Sequence, residues 1–276
     1  MNVDLTGRLA VVTGAGRGLG RQVAVGLATH GAKVALVARS AEQLAETARM
    51  IAQHGGIAQA IPADVSTLDG VAAVTQAVEE RLGTVSILVN AAGVFGPIRL
   101  IKDSDPRRWI ETLLINAAGP YLLCRAFVGG MIQSQWGRIV NVTSAAALHP
   151  PGRLNSAYAT SKVALNQFTR HLAAELDGTG VTANVIHPGD VKTDMWAYIR
   201  DEAERMGPEA EAYRAWVRWV DQTGGDPPQK AVDLVLRLMS EQAASITGQF
   251  LWIEDGLQPP IPSWEAPADP RPWQEG

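Results

Sequence analysis

The sequence predicts an α/β protein built as a doubly wound, parallel seven-stranded sheet in a single domain that carries a helical lid. Three observations carry that prediction. Short apolar, β-branched runs alternate along the chain with longer helical patterns. A glycine-rich turn, "TGAGRGLG" (13–20), joins the first strand to the first helix. One extra helical stretch, residues 193–226, interrupts the alternation before the last helix and strand.

The strands are "LAVVT" (9–13), "KVALVA" (33–38), "IAQAI" (57–61), "VSILVN" (85–90), "GRIVNVT" (137–143), "GVTANVI" (180–186) and "GQFLWI" (248–253). After the first they are continuous apolar runs more than alternating ones, which a sheet covered on both faces requires. Helices are expected near 18–30, 41–54, 68–82, 107–133, 157–177 and 229–241. The 193–226 insertion breaks at Gly207 and Pro208. Residues 1–256 form the expected domain, and 257–276, with six prolines, form a tail that cannot continue a helix or a sheet interior.

A chain of 276 residues lies within the range in which α/β folds run as one unit. Hydrophobic residues make up 46% and charged residues 19%, the balance of a soluble globular protein. The formal charge of −4 with no basic cluster excludes a nucleic-acid partner of the counterion-releasing kind. Cys124 is the one cysteine, so neither an internal disulfide nor a cysteine-based metal cluster can form. No apolar run is read as approaching the roughly 18 residues of a membrane helix. The amino terminus carries Asp4 and lacks a basic leader before an apolar stretch, so no signal peptide and a cytoplasmic location are expected.

Gly14, Gly16, Gly18 and Gly20 let the backbone after the first strand turn tightly and approach a pyrophosphate, whose charge meets the amides of the helix start. The strict G-x-G-x-x-G spacing is absent, because Leu19 and Arg21 stand where a third glycine would fall. In dinucleotide-binding folds an acid at the end of the second strand holds the ribose 2′-hydroxyl of NAD. Here that place reads "VARS": Ala38 accepts nothing, Arg39 attracts a 2′-phosphate, and Arg17 adds a second cation. NADP(H) is therefore favoured over NAD(H). The alternative is a pair of solvated surface arginines.

In "SAYATSK" (156–162) Tyr158 and Lys162 stand four apart and share one helix face. A phenol near pKa 10 is a poor base at neutral pH until a cation stabilises its anion, and a shift of three units asks for about 4 kcal/mol. A close ammonium together with an oxidised nicotinamide is expected to supply it. Three further motifs follow strands four, five and six: "NAAG" (90–93), "IVNVTS" (139–144) and "HPGDVKT" (187–193). All sit at strand carboxyl ends, where open α/β sheets bind ligands.

Taken in this order, these motifs make the chain resemble the short-chain dehydrogenase/reductase family, in its single-domain, NADP-preferring branch, from about Leu5 to Gly256. The resemblance implies a Rossmann-like fold and a catalytic set of Ser144, Tyr158 and Lys162, with Asn116 in "LLINAAGPY" holding a water relay behind the lysine. For the cofactor it implies Thr13, Gly14, Gly16, Arg17, Gly18, Leu19 and Gly20 in the turn, Arg39 and Ser40 after the second strand, and Asp64 and Val65 beside the adenine. It further implies Asn90 as the residue steadying the central strand, with Ala91 and Gly93 after it. Tyr158 and Lys162 face the nicotinamide end, which Pro188, Gly189, Val191 and Thr193 close. No metal is implied. A homo-oligomer, tetramer or dimer, built on the helices at 107–133 and 157–177 is.

The implied reaction interconverts a ketone and a secondary alcohol, with Tyr158 as general acid/base and hydride moving to or from NADPH. Within that chemistry a 3-oxoacyl reductase and an NAD-dependent sugar or polyol dehydrogenase remain alternatives. A non-catalytic cofactor sensor is the alternative of another class. The lid offers Trp196, Tyr198, Tyr213, Trp216 and Trp219, as pocket walls or as plain packing. Its Arg200, Arg205, Arg214 and Arg218 interleave with Asp201, Glu202, Glu204 and Glu209, which favours a solvated mixed-charge face over an anion site. The segment "AAALHPPGRLNSA" before Tyr158, with His149, departs from the family pattern, and Trp264 and Trp273 mark the tail as able to pack on a neighbouring subunit.

Overall fold

A computed structural model describes residues 3–148 and 152–253. The chain folds around one seven-stranded, all-parallel sheet in the order β3-β2-β1-β4-β5-β6-β7. The strands are β1 Leu9–Thr13, β2 Lys33–Ala38, β3 Ile57–Pro62, β4 Ile87–Asn90, β5 Gly137–Val142, β6 Val181–His187 and β7 Phe250–Trp252, each within two residues of its expected ends. The helices are α1 Gly18–Thr29, α2 Ala41–Gln53, α3 Leu68–Arg81, α4 Pro106–Leu113, α5 Gly119–Gln133, α6 Ser156–Glu175, α7 Asp194–Met206, α8 Glu211–Thr223 and α9 Pro228–Met239.

Successive strand residues point to opposite faces, and the two cores divide accordingly. Val12, Leu36 and Val140 pack with Val23 and Leu27 of α1, Leu44 of α2 and Val235 of α9. Val11, Val37 and Ile139 pack on the other side with Val74 of α3, Phe127 of α5 and Leu172 of α6. Each such side chain taken fully from water is worth roughly 1.5–3 kcal/mol, so both helical layers are held to the sheet mainly by apolar burial. β1 pairs with both β2 and β4, so chain progression reverses there and opens a crevice at the strand carboxyl ends.

Two expectations need correction. The single helix expected over 107–133 is three pieces, because a π-helical turn, Leu114–Ala118, separates α4 from α5. Pro120 has no N–H to donate to the carbonyl four residues back, that of Asn116, and widening the turn there accommodates the missing bond. The whole segment Pro106–Gln133 is also long and apolar enough, by length and composition, to cross a membrane, contrary to the expectation that no stretch would be. In this fold its apolarity serves packing, for Leu123, Cys124, Phe127 and Met131 are buried against the sheet. Burial pushes the Cys124 thiol up to about 12, which makes it a small inert hydrophobe.

The insertion is α7, a 3-10 turn at Gly207–Ala210 and α8, with the break where Gly207 and Pro208 predict it. A third apolar cluster joins it to the body: Trp196, Ile199, Val217 and Val220 pack with Phe95, Ile98 and Tyr158. Its arginines are taken up by acids, Arg205 by Glu202 and both Arg214 and Arg218 by Glu211, which is the expected mixed-charge face. His149, Trp264, Trp273 and the 257–276 tail lie outside the described residues.

Candidate active site

A cleft of about 760 Å³ runs across the carboxyl ends of the strands and under the lid. At one end the glycine turn leaves β1. Gly14 has φ +65°, and a Cβ there would lie 2.9 Å from the Ala91 carbonyl and the Ala92 amide, so only glycine fits without strain. A Cβ on Gly20 would strike the Gly14 carbonyl, so the helix can approach the turn only bare. The N-cap of α1, Arg17, makes no side-chain cap and no acid lies in the first turn, which leaves the first amides of α1 free to meet an anion.

Gly14, Gly16, Arg17, Gly18, Leu19 and Gly20 all line the cleft, as do Arg39, Ser40, Asp64, Val65, Ala91 and Gly93. Thr13 and Asn90 are not on its wall: both are buried one layer beneath. Thr13 Oγ1 accepts from the amides of Ala91 and Ala92 at 3.1 and 3.0 Å, tying β1 to the loop after β4. Asn90 donates to Asn141 Oδ1 at 2.8 Å across to β5. Ser40 caps α2 by accepting from the Gln43 amide at 3.3 Å. Asp64 accepts from Ser66 Oγ at 2.6 Å and from its amide at 3.0 Å, and these bonds hold its carboxyl below the usual range.

The two arginines expected to share one anion are differently placed. Arg39 is exposed beside Asp64 and makes no ion pair among the described residues. Arg17 is paired at 2.8 Å with Asp194, the first residue of α7, and so reaches toward the lid.

At the other end Ser144, Tyr158 and Lys162 converge on the cleft. Tyr158 and Lys162 lie on the buried face of α6, with the ammonium 5.6 Å from the phenol ring centre. Lys162 Nζ donates to the Val142 carbonyl at 2.8 Å. Ser144 follows β5, and its hydroxyl is the hydrogen-bonding neighbour of the Tyr158 phenol. Asn116 is fully buried behind them. Its Oδ1 accepts from the Val94 amide at 2.9 Å, and its Nδ2 donates to the Val94 carbonyl at 2.8 Å and to Ser161 Oγ at 3.0 Å. Ser161 in turn donates to the Tyr158 carbonyl at 2.7 Å, so the asparagine braces the turn of α6 that carries the phenol.

The expected lowering of the tyrosine is not what the protein groups alone produce. Burial pushes Tyr158 up to about 12, against the Ser144 bond, and pushes Lys162 down to about 8. The apolar surroundings outweigh the neighbouring cation: Phe95 stacks on the Tyr158 ring at 4.5 Å, and the ammonium is directed at a carbonyl.

Pro188, Gly189, Val191 and Thr193 line the cleft after β6. Thr193 caps α7 by accepting from the Trp196 amide, and a Cβ on Gly18 would meet its methyl at 3.6 Å, so the lid starts on top of the phosphate turn. Of the lid aromatics, Trp196, Tyr198 and Trp216 line the cleft, Tyr213 packs against Phe95 at 5.9 Å, and Trp219 is exposed. Sequence reasoning missed Phe95, His187 and Asp190, all on the wall. Each lies inside or beside a motif that was read, "NAAG" or "HPGDVKT", and that adjacency was the available signal.

Comparisons with known proteins agree with this geometry. The family model of the short chain dehydrogenases matches residues 8–204. A short chain dehydrogenase of Pseudocercospora fijiensis is 37% identical over 196 residues, 70% of this chain and 63% of that protein. The 2,3-dihydro-2,3-dihydroxybenzoate dehydrogenase of Bacillus subtilis is 33% identical over 253 residues, 91% of this chain and 96% of that one. A solved variant of actinorhodin polyketide ketoreductase with NADPH superposes with a TM-score of 0.81 at 30% identity, covering 89% of this chain and 95% of that one. The chain belongs to the short-chain dehydrogenase/reductase family and is an oxidoreductase acting on alcohol and ketone groups.

Proposed function

We propose that the protein interconverts a ketone and a secondary alcohol with NADPH, using Tyr158 as the general acid/base. The observation that carries this is the convergence of Ser144, Tyr158 and Lys162 on a cleft continuous with the phosphate turn. The residues fit a nicotinamide dinucleotide: the glycines admit a pyrophosphate to bare backbone, the amides of α1 face it, and Arg39 is free for a 2′-phosphate. When bound, that nucleotide supplies or accepts the hydride.

The side chains do the rest. Ser144 holds the substrate oxygen, and Tyr158 delivers the proton to it. A phenol raised to about 12 by burial keeps its proton at neutral pH, which is the form that donates to a carbonyl oxygen; in the reverse reaction the same oxygen takes the alcohol proton. A lysine near 8 remains mostly ammonium at pH 7, and its charge stabilises the phenolate that proton donation leaves behind. Tyr158→Phe is expected to lower kcat by about a thousandfold while the NADPH Kd stays within about twofold. Wild-type turnover in the variant would overturn the assignment.

Arg39 supports NADPH over NADH, since no acid stands at the end of β2. We also propose a homo-oligomer. Ile110 of α4, Leu114 of the π-helical turn, Tyr121 of α5 and Val163 of α6 are large apolar side chains left exposed on the segments through which the resemblance implies assembly. Sedimentation velocity showing only a 29.4 kDa species would remove that proposal.

A further inference from the structure

The substrate end of the cleft carries an acid to which the oxidoreductase reading gives no part. Asp190 lies on the cleft wall three residues beyond the end of β6. One of its oxygens accepts from Trp216 Nε1 of the lid at 3.2 Å. Nearby cations are committed elsewhere: Lys230 pairs with Asp226 at 3.1 Å and Lys192 with Asp221 at 3.0 Å. Asp226 uses its second oxygen to hold the Asp190 amide at 3.0 Å, which sets a second acid beside the first. Among the described residues Asp190 has no ion-pair partner, and burial and the Asp226 carboxylate both push its carboxyl upward.

Its position relative to the reacting centre follows from α8. Trp216 and Tyr213 are three residues apart and share a helix face. Tyr213 meets Phe95 edge to face, and Phe95 stacks on Tyr158. Asp190 is thus linked through Trp216 to the face of α8 whose Tyr213 meets the ring stacked on the phenol. Arg108 also lines the cleft, but it is exposed, so solvent screens the charge that it keeps while donating to the Tyr198 hydroxyl at 3.4 Å.

Beside Asp190 a substrate carboxylate would meet a like charge in a partly desolvated site, whereas a hydroxyl would find a strong acceptor. The rings of Phe95, Trp196 and Trp216 on the wall suit a flat or cyclic skeleton. We propose that Asp190 is a specificity-determining residue, accepting a hydroxyl of an uncharged cyclic hydroxyketone, or of the matching diol, and excluding ketones with a carboxylate close to the reacting carbon. This rests on the oxidoreductase reading above.

The test compares 3-hydroxycyclohexanone with 3-oxocyclohexanecarboxylate as substrates, with NADPH. The wild type is expected to favour the hydroxyketone in kcat/KM by about tenfold, and Asp190→Asn to bring the two within about threefold by gaining on the carboxylate. A ratio unchanged in the variant, or a wild type that prefers the carboxylate, overturns the proposal. Turnover of other ketones but of neither ring compound overturns the substrate class and leaves the oxidoreductase reading standing. Failure to oxidise NADPH with any ketone sinks both. Should Asp190→Asn not fold, inhibition of the wild type by cyclohexanol and cyclohexanecarboxylate decides: the alcohol is expected to inhibit at the lower concentration, and equal or reversed potency overturns the assignment.

Discussion

At the end of the cleft proposed for the nucleotide Gly14 and Gly20 offer bare backbone, whereas at the end proposed for the substrate Phe95, Trp196 and Trp216 offer rings and Asp190 a charge. The two ends thus recognise by different means. Backbone recognition tolerates almost no substitution, because a Cβ on Gly14 or Gly20 meets main chain that cannot move aside. Side-chain recognition leaves the wall free to take many residues, and it is the lid, α7 and α8, that supplies much of it. The first kind of site suits a ligand that never varies, the second a ligand that does.

That contrast can be tested by separating cofactor binding from substrate binding. The largest effect is expected from Gly20→Ala, where the added methyl is forced on the Gly14 carbonyl: overpacking of about 2 kcal/mol would weaken NADPH binding roughly thirtyfold by fluorescence titration. If the NADPH Kd does not move, the turn is structural and the comparison breaks. Arg39→Asp is expected to cost NADPH about tenfold in KM and to leave NADH within about twofold, which separates phosphate recognition from a solvated arginine. Equal loss of both nucleotides would withdraw the phosphate role. Trp216→Phe removes the bond to Asp190 and is expected to raise the ketone KM about threefold with the NADPH Kd untouched, the partly exposed setting keeping the effect small. A shift in NADPH binding there would mean that the two ends are not separable.

The same difference decided what could be read from the residues. All seven strands and the phosphate turn were legible because their requirements act along the chain: β-branched runs for a buried sheet, glycines for a turn that has no room. Ser144, Tyr158 and Lys162 were legible as a constellation, and they do converge. The pairing of Arg17 with Asp194 was not, since it depends on how the start of α7 lands on the turn. Phe95 escaped notice for the same reason: its stacking on Tyr158 joins segments distant in sequence. Spacing shows a cation one turn from the phenol and does not show how much apolar surface surrounds both groups, so the rise that burial gives the phenol was not legible, while the expected lowering also calls on an oxidised nicotinamide. The π-helical turn had a visible sign, Pro120 four residues after Asn116, whose meaning emerges only once the helix is known to continue through it.

That turn ties catalysis to chain length in an unusual way. A π-turn takes up one surplus residue by widening, so deleting a single residue in 114–118 would restore regular winding and leave α5 in nearly its present phase, while shifting the residues inside the turn. Phe127 and Met131 would keep their seats on the sheet, whereas the Asn116 amide would be drawn away from Val94 and Ser161. The surplus residue thus serves the brace behind the phenol and not the seating of α5, and a change of length here is felt at the cleft before it is felt in the core.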